Sequence, residues 1–127
     1  MTLQRFRVAA VQMVSAPEVE ANLRRAEVLI AEAAAAGAQL VALPEYFCLL
    51  GRQDSDKVAV READGSGPIQ QFLSEAARRH GVWLIGGTVP LQSDAPDKVR
   101  NSCLVFDDHG QRRARYDKIH LFGFDNG

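Results

Sequence analysis

The chain has 127 residues, 46% of them apolar and 24% charged, and a formal net charge of −1. That is the size and apolar content of one ordinary folded domain. It excludes a disordered chain, which would be poorer in apolar residues and more lopsided in charge. No basic stripe stands out, so nucleic acid and anionic membranes are not expected partners.

The longest apolar stretches fall far short of the roughly 20 residues that a membrane span needs. Arg5 and Arg7 interrupt the first apolar run and Gln12 cuts it short, unlike a secretion signal. A cytoplasmic, reducing setting is the expectation, with Cys48 and Cys103 as free thiols.

In chain order, Phe6 to Met13 is short and rich in apolar residues, which predicts a mostly buried strand. Ser15-Ala16-Pro17-Glu18 has the spacing of a helix-start box. Val19, Leu23, Ala26, Ile30, Ala33 and Ala34 then recur at helical intervals, which predicts a helix over about 18–36 with Gly37 as its stop. Gln39 to Leu43 reads as a buried strand ended by Pro44. Residues 48–66 lack a clear period and predict a long loop with one short helix.

Pro68 sits at the first position of a second helix, in which Ile69, Phe72, Leu73, Ala76 and Ala77 form a complete apolar stripe. Arg78, Arg79 and His80 suit the negative end of its dipole, and Gly81 caps it. Val82 to Val89 predicts one buried strand, and 92–98 a polar turn. Val99 to Phe106, a turn at Asp107-Asp108-His109-Gly110, and Gln111 to Tyr116 predict a hairpin. The order β-α-β-loop-α-β-β-β is an α/β pattern with helices covering a sheet. Leu121 to Gly127 closes with no helix or strand, so the chain reads as the opening part of a longer domain.

Glu45 follows a buried strand and a proline, at the carboxyl end of a strand where α/β proteins place reactive groups. Its apolar neighbours Leu43, Tyr46, Phe47 and Leu49 predict a raised pKa, which suits a general base. A solvated loop glutamate is the plainer reading of the local pattern. Lys118 lies in Tyr116-Asp117-Lys118-Ile119-His120-Leu121-Phe122. If buried there it needs a carboxylate or an oxyanion as partner; otherwise it is a surface lysine. Cys48, three residues from Glu45, is either a nucleophile or a buried, inert thiol. No metal site is expected, because the chain has neither a Cys-x-x-Cys nor a His-x-x-x-His pair. Gly65-Ser66-Gly67-Pro68 lacks the further residues of a phosphate loop.

The words around these residues are more specific than their positions. VALPEYF at 41–47 and RYDKIHLF at 115–122 resemble the first two signature motifs of the nitrilase superfamily of carbon–nitrogen hydrolases. RVAAVQM, the ANLRRAEVLI helix, GTVP at 87–90 and NSCLVFDDHG at 101–110 resemble the same family in the same order. LPEYFCLLGR with KIHLFGF is most similar to the branch of omega-amidases and the amidase for deaminated glutathione.

The resemblance implies a four-layer αββα sandwich, of which residues 1–127 would be the N-terminal part of one carbon–nitrogen hydrolase domain. It implies a Glu–Lys–Cys triad in which Glu45 and Lys118 match the first two members. Neither Cys48 nor Cys103 stands in the context of the third motif, so the nucleophile is expected C-terminal to Gly127. Tyr46 and His120 become candidates for the pocket wall or its surroundings.

The implied substrate is a small amide bearing a carboxylate, of omega-amide or deaminated glutathione type. Nitrile or N-carbamoyl hydrolysis is an alternative, and a catalytically inactive fragment or assembly piece is another. No cofactor is implied, and the full-length relatives would form dimers or larger homo-oligomers.

Overall fold

The structure is a computed structural model that describes residues 2–121. Its elements run β1 (Val8–Ala10), α1 (Val19–Ala35), β2 (Leu40–Ala42), α2 (Ser55–Ala59), α3 (Pro68–His80), β3 (Trp83–Ile85), β4 (Val89–Gln92), β5 (Val99–Phe106) and β6 (Arg112–Asp117). The strands form a single sheet in which β1, β2 and β3 pair parallel and β3, β4 and β6 all pair antiparallel with β5.

The predicted strand over 82–89 is broken into β3 and β4. Ile85 lies opposite Val105 and Val89 opposite Ser102, so the β3–β4 side carries one residue more than β5 between these pairs. That is a bulge, and it falls at Gly86-Gly87. Both glycines are needed there. A β-carbon on Gly86 would lie 2.6 Å from Leu73 Cδ1, and Gly87 has φ of +48°. The strand resumes past the bulge and takes Gln92 out of the predicted turn.

Both long helices form where the apolar periodicity predicts, and both lie on one face of the sheet. Ala26 and Ile30 of α1 pack with Ile69, Leu73, Ala76 and Ala77 of α3 over Val41, Leu84, Leu104 and Phe106, all buried. Gly81 takes the left-handed conformation that ends α3. His80, at that end, places Nε2 2.7 Å from Glu27 Oε1 and ties α3 to α1.

Two local expectations are corrected. Ser15 does not cap α1: its hydroxyl donates to the Phe47 carbonyl at 2.8 Å, and the cap residue Glu18 makes no side-chain capping bond. Strand β1 is short and largely exposed, with Val8 63% accessible. It ends the sheet, and Val8 lies on the sheet face that the helices do not cover.

The N-terminus of α3 is capped from a distance. Buried Glu62 accepts from the backbone N–H groups of Ile69 at 2.6 Å and Gln70 at 3.0 Å. The Gly65–Pro68 segment therefore has its helix-end donors filled by a carboxylate of the same chain, a favourable placement at the positive end of the helix dipole.

The face of the sheet away from the helices stays open. Val8, Leu40 and Trp83 form one row across β1, β2 and β3, and Cys103 faces Tyr116 across β5 and β6. Trp83 is 41% and Tyr116 60% accessible, large apolar groups that a closed domain buries. A sheet with helices on one side and an apolar second side is half of a four-layer sandwich.

Candidate functional site

Strand directions decide which loops meet. β2 and β3 are parallel, β5 runs against β3, and β6 runs against β5. β6 therefore points the same way as β2, and the residues just after each strand emerge at one end of the sheet. Glu45 follows β2 and Lys118 follows β6. Lys118 Nζ donates to Glu45 Oε1 at 2.9 Å, joining residues 73 apart in sequence.

The turn carrying Glu45 is built tightly. Phe47 N–H donates to the Pro44 carbonyl at 3.1 Å, and Tyr46 adopts φ of +48°, unusual for a residue with a side chain. Tyr46 N–H is taken by Thr88 Oγ1 at 3.0 Å, in the loop just after the glycine bulge. Beyond the turn, Phe47, Cys48 and Leu49 plunge into the core.

Buried Asn22 of α1 holds this descent in place. Its amide donates to the carbonyls of Ala16 at 2.7 Å and Cys48 at 2.9 Å, and its oxygen accepts from Ala16 N–H at 2.7 Å. The loop bearing Glu45 is thus tied to α1 and to the β1–α1 connection.

Asn101 holds the other side. Its Nδ2 donates to Glu45 Oε1 at 2.8 Å, and its carbonyl accepts from Lys118 N–H at 2.9 Å. The end of β6 is fixed as well. Asp117 accepts from Ser102 Oγ at 2.7 Å and from Arg115 Nε at 2.8 Å, one residue before the lysine.

The electrostatics correct one expectation. The Glu45 carboxyl lies below the ordinary glutamate range, not above it, because the hydrogen bonds from Lys118 and then Asn101 outweigh the modest desolvation. Of the neighbours that suggested a raised value, Leu43, Phe47 and Leu49 face the core, while the carboxylate faces the opening, 52% exposed. The carboxylate is therefore ionised at neutral pH and a weaker base than an isolated glutamate.

Glu45, Tyr46, Lys57, Lys98, Asn101 and Lys118 border an open cleft of about 600 Å³. Burial pushes the Tyr46 phenol up to about 12, and Lys57 Nζ lies 4.4 Å from the centre of its ring, a cation–π contact. His120 is exposed and is not among the residues bordering this cleft. Cys48 is fully buried, with its thiol pushed up to about 12 by burial, and does not border the cleft. Cys103 lies on β5, half-buried, its thiol also raised by burial.

Asn101 and Asn22 are the site residues that sequence reasoning missed. Asn22 carried a signal, as a polar group on the apolar stripe of a helix needs a partner, whereas Asn101, between Arg100 and Ser102, carried none.

Comparison with known proteins places the chain. The model of the carbon-nitrogen hydrolase family matches residues 7–126, and the chain belongs to that family. It is 40% identical over 119 residues to a deaminated glutathione amidase from Yersinia enterocolitica, covering 93% of this chain and 41% of that protein. It is 38% identical over 124 residues to an omega-amidase from Xenopus tropicalis, covering 97% of this chain and 43% of that one. Among solved structures, Saccharomyces cerevisiae Nit3, of branch 10 of the nitrilase superfamily, superposes with a TM-score of 0.74 at 30% identity. That match covers 84% of this chain and 41% of Nit3.

The motif resemblance thus holds down to the branch, and the fold is part of a nitrilase-type sandwich. The chain spans about two-fifths of the length of these relatives.

Proposed function

We propose that this chain supplies the proton-transfer and charge-stabilising half of a carbon–nitrogen hydrolase site acting on small amides that carry a carboxylate. The observation that carries the reading is the 2.9 Å contact between Lys118 Nζ and Glu45 Oε1 at the mouth of a cleft. The two residues come from separate strand ends and stand in the two family motifs.

An amide is a weak electrophile with a poor leaving group, so hydrolysis proceeds through a covalent intermediate. Glu45, ionised and hydrogen-bonded, takes the proton from a cysteine thiol supplied from outside residues 1–127. It then delivers that proton to the departing nitrogen. Attack places negative charge on the former carbonyl oxygen, and the Lys118 ammonium, held at the cleft, stabilises it. Water then opens the thioester with Glu45 again accepting the proton. The cleft lining is balanced in charge, with Lys57, Lys98 and Lys118 against Glu45, Asp54 and Asp97, and Lys57 and Lys98 are its candidate partners for a substrate carboxylate.

A second reading is favoured by the thiols: among the described residues none borders the cleft, so residues 1–127 by themselves do not turn over amides. Supplied with the missing thiol, the site regains its third member.

The full-length protein tests the substrate class. Ammonia release is compared for a 2-oxo acid omega-amide, deaminated glutathione, an aliphatic nitrile and an N-carbamoyl amino acid. The first two are expected to be the best substrates by kcat/KM. Preference for the nitrile or the carbamoyl compound overturns the assignment.

A further inference from the structure

Asn101 contacts both members of the proposed pair through different atoms. Its side-chain amide donates to Glu45 Oε1, and its main-chain carbonyl receives Lys118 N–H. The residue is 4% exposed and sits on β5, where Pro90 of β4 lies opposite it. A neighbouring Ser102 Oγ–Asp117 bond ties the same stretch of β5 to the end of β6. The strand is therefore a fixed platform beneath both loops.

Glu45 Oε1 thus receives two donors, the Lys118 ammonium and the Asn101 amide. Among the described residues, Oε2 has no hydrogen-bond partner. A carboxylate held by two donors on one oxygen cannot rotate without breaking a charge-assisted bond. Its basic lone pairs then lie on the other oxygen.

We propose that Asn101 is a positioning residue for proton transfer: it pins Glu45 Oε1 beside the lysine so that Oε2 alone meets the reacting proton. This rests on the assignment of Glu45 as the proton carrier. Lys118 without Asn101 leaves the carboxylate free to swing about a single contact. Asn101 without Lys118 leaves the carboxylate anchored but without its counter-charge. The Asn101 carbonyl sets where the lysine side chain starts, so one residue sets the spacing of the pair. A charge-assisted hydrogen bond of this kind corresponds to a rate effect of roughly 10- to 100-fold.

The test uses the full-length protein. Asn101→Ala is expected to lower kcat about 10- to 100-fold, with KM changed less than about threefold, and to move the acid limb of the kcat/KM profile to higher pH. Asn101→Asp keeps the shape but sets a like charge at hydrogen-bond distance, so its acid limb should move further in the same direction. A purely structural role would lower kcat and the melting temperature with the acid limb unmoved, and that result overturns the proposal.

A second reading needs neither a variant nor turnover. In the unmodified protein, the Asn101 side-chain NH₂ resonances should titrate with the same midpoint as the Glu45 carboxyl carbon. No shift of those resonances across the Glu45 titration overturns the proposal. If Glu45→Gln kept full activity while the two titrations coincided, the catalytic assignment would fail and the hydrogen bond would stand.

Discussion

A β-carbon on Gly87 would lie 2.1 Å from the carbonyl oxygen of Pro44. The bulge in the β3–β4 strand and the turn that carries Glu45 therefore touch backbone to backbone, and only glycine leaves room. Gly87→Ala is expected to destabilise the protein by on the order of 2 kcal/mol or more, from positive-φ strain plus the collision. Urea unfolding of the full-length variant measures this; a midpoint equal to that of the parent contradicts the reading.

Asn22→Ala should also be costly. It leaves Ala16 N–H and the Cys48 carbonyl without their buried partner, while the Ala16 carbonyl keeps Leu50 N–H at 3.0 Å. Each unsatisfied group costs about 1–3 kcal/mol, less where water enters, so a loss of roughly 2–4 kcal/mol is expected. Asn22→Asp should fare no better, because it keeps the acceptor but turns a carboxylate towards two carbonyl oxygens. Thermal melts of both variants check the ordering.

The hairpin end beside Lys118 should loosen in acid. Asp117 lies below the usual carboxylate range, chiefly through its hydrogen bond from Arg115 and also that from Ser102. A carboxyl depressed on folding contributes stability that is fully present above its unfolded pKa of about 3.9 and is lost as pH falls through the folded value. Amide exchange at Asp117 and Lys118 should therefore be independent of this group above its unfolded value, once corrected for the intrinsic rate, and should lose protection as pH falls below it. Protection lost between pH 5 and 7 would contradict the assignment.

The two thiols should react in a fixed order. Cys48 is fully buried with its thiol pushed up to about 12, whereas Cys103 is half-buried on the sheet. Iodoacetamide at neutral pH should leave Cys48 unlabelled until the protein is denatured. Rapid native labelling of Cys48 would revive it as a nucleophile.

Much of this was legible in the residues. The apolar stripes of α1 and α3 and the glycine that stops α3 are local signals, and they place both helices within a residue or so. The motifs around Glu45 and Lys118 marked the pair, and the structure brings the two side chains together. What escaped the sequence is non-local. Glycines at 86 and 87 do not announce whether a strand ends or bulges; the pairing with β5 decides it. The exposure of Val8 in β1 follows from its row on the open face of the sheet. The direction of the Glu45 shift turned on two donors from residues 101 and 118, which outweigh neighbours in sequence. Ser15 had the spacing of a helix cap but found a carbonyl of the Glu45 loop instead. His120 carried a family expectation and stands exposed, between Lys118 and Leu121, which border the cleft. The ending at residues 122–127 lies outside the described residues.

The central claim is that Glu45 moves the proton and Lys118 stabilises the charge. The most direct measurement is ammonia release from a 2-oxo acid omega-amide by the full-length protein and its Glu45→Gln variant, with melting temperatures recorded alongside. The account predicts a fall in kcat of about 10²- to 10⁴-fold with the melting temperature nearly unchanged. A Glu45→Gln protein that folds and releases ammonia at the parent rate would contradict it.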